Sequence, residues 1–235
     1  MEARELTDNR RILAQLEQER NLLSAGYGVS GSVMLGGVVS SNPLVAAGGI
    51  GASTLLLRRI EKLSRIVRVM SAILDAFESQ GVEIFPRVEV PGHNPIDLYV
   101  RFKGLAHLII SIRSMGQSEI VYKEATETLL VKRKGKGMKK WHPDPLVELS
   151  EYQAWLIKNR QQFGISSKEV RKPLAKVLVI SGETRIDEHR EHLYTTVSGE
   201  TFLALSRKGT AMVILEEQVI NFMKAYLANY KAQEA

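Results

Sequence analysis

The sequence predicts an α/β protein: a mixed sheet flanked by helices, preceded by an N-terminal helical membrane hairpin. Three observations predict it. Residues 21–57 contain no Asp, Glu, Lys, Arg or His. Residues 54–79 carry apolar side chains at helical spacing and stop at Gly81. Beyond Gly81 the apolar period becomes two, the repeat of a half-buried strand. The chain thus divides into an amphipathic helix (1–20), a Gly-rich transmembrane hairpin (21–57) and an α/β domain (58–235).

As one straight helix the uncharged segment would run about 55 Å, far beyond a hydrocarbon core of about 30 Å. Ser40, Ser41, Asn42 and Pro43 form a turn signal in its middle. The segment therefore reads as two arms, 22–39 and 44–57, about 27 and about 21 Å long. Ser24, Gly28, Ser32 and Gly36 recur every four residues on the first arm, and Gly48 and Ala52 on the second. Small residues at this spacing let helices approach closely in lipid and favour self-association. Arg10, Arg11 and Arg20 precede the segment; Arg58, Arg59, Lys62, Arg65 and Arg68 follow it. By the positive-inside rule both termini and the α/β domain stay cytoplasmic, which two arms allow. A single ragged span and a buried soluble helix pair are the competing readings. A cleaved signal peptide does not fit, because Glu2, Glu5, Asp8, Glu17 and Glu19 crowd the region before it.

The flanking helices have apolar stripes. Leu6, Leu13, Leu16 and Leu23 mark 3–23; Leu57, Ile60, Leu63, Ile66, Val67, Met70, Ile73, Leu74 and Phe77 mark 54–79. Past Gly81, Val82, Ile84, Val88 and Val90 alternate with polar residues, and Pro86 marks an edge strand or bulge. After the turn Pro91-Gly92-His93-Asn94-Pro95, one strand face carries Ile96, Leu98, Val100 and Phe102, and the other Asp97, Tyr99 and Arg101. The next run, LAHLIISIRS, puts His107, Ile109, Ser111 and Arg113 on one face. A strand pair at 119–122 and 129–134 precedes a Gly/Lys turn. Residues 145–163 read as a helix, 175–180 and 201–205 as strands, and 212–230 as a closing amphipathic helix.

This arrangement resembles the PD-(D/E)XK nuclease superfamily, most closely its nuclease-related domain branch. There a helix leads into a hairpin carrying an Asp, and the next strand carries Glu-x-Lys. Here NPIDLYV supplies Asp97, while in ISIRS Ser111 and Arg113 stand at the Glu and Lys positions. WHPDPLVELSEYQAWL, with Gln153, and the strand KVLVIS continue the likeness. The resemblance covers roughly 58–205. It implies a restriction-endonuclease-like fold and a Mg²⁺-dependent nuclease site with two carboxylates and a lysine. Ser111 is a poor ligand for a hard dication, and Arg113 keeps its proton at working pH. Arg113 is expected to pair with Asp97 across the strands, leaving the site dead and the protein without a cofactor. In the alternative, a membrane-bound nuclease, Mg²⁺ returns and Glu119, Lys123, Glu124 or His107 takes over the lost roles.

The absence of cysteine excludes disulfides, thiolate metal sites and cysteine nucleophiles. No phosphate-binding Gly loop, His-rich metal spacing or Ser nucleophile elbow is present. The net charge of +6 favours polyanionic partners. Lys132, Arg133, Lys134, Lys136, Lys139 and Lys140 crowd one Gly-containing turn beside Trp141, a pattern suited to nucleic-acid phosphates or anionic lipid headgroups. The sequence therefore points to a membrane-anchored interaction or scaffold protein that docks nucleic acid or a membrane protein complex.

Overall fold

In a computed structural model, the backbone is described for residues 2–39 and 43–234 and the side chains for 8–27 and 54–230. The chain divides into two compact units, 1–71 and 72–235. Helix α1 spans Glu2–Val39 and α2 spans Pro43–Phe77. The expected turn at 40–42 lies outside the described residues, as do the side chains of Gly28, Ser32, Gly36, Gly48 and Ala52. Ser24 is exposed, and its hydroxyl donates to the Arg20 carbonyl at 2.9 Å. Among the described residues, no helix is long and apolar enough to cross a membrane. The stripes form in part: Leu13 and Leu16 are buried on α1, and Leu63, Ile66, Val67, Met70, Ile73, Leu74 and Phe77 on α2, while Leu23 and Ile60 are half-buried, Leu57 is exposed and the Leu6 side chain lies outside the described residues. A short 3₁₀ turn (Glu78–Gln80) then meets Gly81, whose φ of 69° ends the helical run in the left-handed region that glycine tolerates.

The second unit is an α/β structure with two sheets. Strands β1 (Val82–Val88), β2 (Ile96–Phe102) and β3 (Ala106–Arg113) form an antiparallel meander. Strands β4 (Ser118–Lys123), β5 (Thr128–Arg133) and β6 (Lys139–Lys140) follow, then helix α3 (Pro145–Lys158) and strand β7 (Leu174–Ile180), which pairs parallel with β3. After β8 (Arg185–Ile186) and β9 (Tyr194–Val197), β10 (Glu200–Ser206) and β11 (Thr210–Leu215) form a hairpin whose second strand runs parallel to β7. The large sheet has the order β1-β2-β3-β7-β11-β10-β9, and a smaller one β6-β5-β4-β8. Helix α4 (Val219–Glu234) closes the chain.

Two expectations need correction. The closing helix does not begin at Met212, because 210–215 is β11. AMVIL is a short apolar run that periodicity alone cannot assign, and β-branched Val213 and Ile214 pair with Leu178 and Val179 of β7. The helix expected over 145–163 ends at Lys158, where Asn159 caps it, and Arg160–Phe163 continues as a 3₁₀ turn stopped by Gly164 at φ 63°.

Helix α3 crosses one face of the large sheet. Its Leu146, Leu149, Tyr152 and Leu156 pack with Tyr99, Ile109, Leu178, Leu203 and Val213 of the large sheet, and with Ile120, Leu129 and Val131 of the small one. This shared core fixes the small sheet on the helix side of the large one. Across β2 and β3, odd-numbered residues face α3, so Asp97, Tyr99, Arg101, His107, Ser111 and Arg113 all share that face.

Candidate functional site

Asp97, near the start of β2, and Arg113, the last residue of β3, meet because the meander is antiparallel. The Arg113 guanidinium donates to Asp97 Oδ2 at 2.7 Å, and the Ile112 backbone N–H donates to the same oxygen at 2.7 Å. This is the cross-strand pairing that the sequence suggests. The other end of the guanidinium reaches Glu148 Oε2 on α3 at 3.3 Å. Side-chain exposure is 1% for Asp97, 6% for Glu148 and 15% for Arg113, so one cation bridges two carboxylates out of water.

Glu148 was not singled out from sequence. Asp144 caps α3 by accepting from Leu146 N at 3.0 Å, and Pro145 opens the first turn. Glu148 follows in that turn, where the helix dipole favours an acid. Asn94, from the loop before β2, donates to Glu148 Oε1 at 2.6 Å. The readable signal was a lone acid on the helix face formed by Leu146, Leu149, Tyr152 and Leu156.

Burial works against the Arg113 charge, but Asp97 and then Glu148 outweigh it, and the guanidinium pKa is raised. Tyr152 is pushed up chiefly by burial and next by Glu148. The Ser111 hydroxyl is fully buried and, among the described residues, makes no hydrogen bond. A divalent cation does not fit this donor set, because Arg113 already occupies the position between the two acids and Ser111 adds no charge. Among the described residues no group of three His, Cys, Asp or Glu is arranged to hold a metal.

The residues suggested as substitutes do not come to Asp97, because β4 belongs to the smaller sheet. Glu119 pairs with Lys132 at 2.8 Å, Glu124 contacts His192 at 2.8 Å, and Lys123 is exposed. His107 sits further along β3, with Tyr99 Oη 2.8 Å from Nδ1 and the Glu169 carbonyl 3.2 Å from Nε2. That carbonyl only accepts, so Nε2 carries the proton and Nδ1 accepts from Tyr99. Gln153 lies at a small cavity of about 100 Å³ that His107 also lines.

Burial lowers the His107 pKa below 6.5, against opposing effects of the Glu169 carbonyl and carboxylate, with Arg101 adding to the lowering. The unfolded chain therefore binds this proton first. Stability rises with pH up to 6.5 and is lost as pH falls below it, by at most about 1.4 kcal/mol per pH unit. Urea midpoints from pH 7.5 to 5.5 should fall more steeply in the wild type than in His107→Gln; equal slopes would refute this.

Lys132, Arg133, Lys134, Lys136, Lys139 and Lys140 are all exposed around the β5–β6 turn, where Gly135 has φ 71° and Lys136 N donates to the Arg133 carbonyl at 3.0 Å. Trp141 is buried and anchors the turn, its backbone N–H donating to the Leu129 carbonyl at 2.9 Å. The turn borders an open groove of about 1380 Å³ beyond the carboxyl ends of β7 and β11.

No family model matches the chain, and no curated protein or solved structure matches it either.

Proposed function

We propose that this chain is a membrane-anchored docking protein with a catalytically silent PD-(D/E)XK-like core, holding nucleic acid beside the membrane through its basic turn. The observation that carries the reading is the Arg113 bridge between Asp97 and Glu148. A nuclease of this type needs its carboxylates free for a cation and a lysine beside them. Here the acids are spent on a guanidinium that cannot serve as a base at neutral pH. The order α2, β1, β2, β3, α3, β7, with β7 parallel to β3, supports the core assignment. The uncharged segment 21–57, with arginines on both sides, supports the anchor and, by the positive-inside rule, a cytoplasmic side for the α/β domain.

A second reading, a membrane-bound nuclease, has one observation in its favour: Glu148 brings a second carboxylate to the guanidinium that holds Asp97. The full-length protein in uncharged nanodiscs separates the two. With Mg²⁺ or Mn²⁺, no cleavage of single- or double-stranded DNA above that of Asp97→Ala is expected. Cleavage abolished by Asp97→Ala would replace the docking reading with the nuclease. Nucleic acid should bind with a steep salt dependence, whose log–log slope falls by about 0.9 for each contacting lysine among Lys134, Lys136, Lys139 and Lys140 changed to Gln. Absence of both cleavage and binding would leave a membrane protein complex as the docked partner.

A further inference from the structure

The groove beyond β7 and β11 combines three chemistries. Its cations are Lys132, Arg133, Lys134 and Lys136 from the β5–β6 turn and Arg185 from β8. Only Lys132 of these forms an ion pair, with Glu119, among the described residues. Its acids include Glu183 and Glu217, from the segments that follow β7 and β11; both are exposed and unpaired among the described residues. Its apolar surface is Ile186 and Leu215, half-buried at the ends of β8 and β11, backed by the buried Ile180 at the end of β7. The lining is held in place: Thr184 Oγ1 accepts from Met115 N at 2.7 Å and donates to the Gly116 carbonyl at 3.0 Å, and Ser181 N donates to the Arg113 carbonyl at 2.9 Å.

Each candidate ligand class uses a different part of this set. The backbone of a polynucleotide would use the cations alone, and an oligonucleotide competitor separates that case from a free nucleotide. Inorganic phosphate would leave the aliphatic residues and both acids unused. A nucleotide uses all three: phosphates on the lysines and arginines, the base on the aliphatic side chains, and ribose hydroxyls or base amines donating to the carboxylates. The groove exceeds the roughly 300–1,000 Å³ of ordinary small-molecule sites and lies outside the carboxyl ends of parallel strands, where open α/β sheets hold ligands.

We propose that this groove is a nucleotide-binding site, separate from the Asp97–Arg113–Glu148 cluster and independent of whether the basic turn also holds nucleic acid. The test is titration of the full-length protein in uncharged nanodiscs with a fluorescent nucleoside triphosphate, competed by unlabelled nucleotide, inorganic triphosphate and a DNA oligonucleotide. Saturable binding displaced best by the unlabelled nucleotide is expected, about tenfold weaker in Lys134→Gln/Lys136→Gln. Glu217→Gln and Glu183→Gln give the sign that decides. They weaken binding if the carboxylates accept from the ligand, and strengthen it if the groove attracts only negative charge. All four positions are exposed, so folding should be unaffected, and circular dichroism checks that. Absence of saturable binding would overturn the proposal, as would equal displacement by inorganic triphosphate or tighter binding in the glutamate variants. Oligonucleotide binding without nucleotide binding would overturn it too, while leaving the docking reading in place.

Discussion

Arg113→Ala is expected to lower stability by about 3–5 kcal/mol, because it leaves Asp97 and Glu148 buried without their shared cation. Urea or guanidinium midpoints of the full-length protein read this directly. The loss comes from stranded charge rather than from a missing attraction, and two further variants separate these causes. Arg113→Lys keeps the charge but cannot span both acids as a fork, so it should fall between wild type and alanine. Asp97→Asn/Arg113→Met/Glu148→Gln removes all three charges and should recover most of the loss, since a buried ion cluster adds little over neutral groups of similar volume. In Arg113→Ala, millimolar Mn²⁺ should raise the midpoint, since two carboxylates then face the space left by the guanidinium; in the wild type it should not. A loss below about 1 kcal/mol would mean that the cluster is effectively solvated, as surface pairs are. Asp97 and Glu148 would then not be locked by Arg113.

How much of this cluster is legible in the sequence depends on how local its determinants are. The Asp97 face follows from alternation in IDLYVRF, and the Arg113 face from HLIISIR, because strand side chains alternate without exception for a regular pleat. The meeting of Asp97 and Arg113 follows from the short Lys103-Gly104 turn between the strands, where Gly104 has φ 75°. Glu148 is another matter. It lies 35 residues beyond Arg113, and no period connects a helix position to a strand end. Only the crossing of α3 over the sheet brings them together. The smaller sheet was hidden for a similar reason: the strands at 118–123 and 128–133 read correctly as a pair, but nothing local says that they leave the sheet begun by β1, β2 and β3. Strand β11 was hidden by ambiguity instead. The preceding Lys208 and Gly209, with φ of 50° and 99°, form a tight hairpin turn that its apolar run alone does not announce.

Arg101 offers the sharpest comparison with Arg113, because it too bridges two acids under cover. Its Nε lies 3.1 Å from Glu83 on β1 and 2.9 Å from Glu169 in the segment between α3 and β7, and its guanidinium also donates to the Phe163 carbonyl. Arg101→Ala strands charge as Arg113→Ala does, but the acids have different ways out. Asp97 is held by the Ile112 amide and Glu148 by Asn94 and the first turn of α3, so neither can leave without opening the sheet or the helix. Glu169 sits in a strap of short 3₁₀ turns, and moving that strap into water relieves it. The strap's other ties include the Glu169 carbonyl on His107, Ile165 in the shared core with Val170 packed against it, and Phe163 packed against Tyr99, Phe85 and Trp155 at ring-centroid distances of 5.3, 5.4 and 6.1 Å. Such aromatic pairs contribute about 0.5–1.5 kcal/mol each, less than about 3–5 kcal/mol for a stranded buried charge. Arg101→Ala is therefore expected to open 160–172 locally. Amide exchange should accelerate by more than a hundredfold there, as about 3 kcal/mol of lost protection requires, while the amides of β3 and β7 change far less. Uniform acceleration across the sheet would show instead that the strap cannot part from it, and that Arg101 supports the whole α/β unit as Arg113 does.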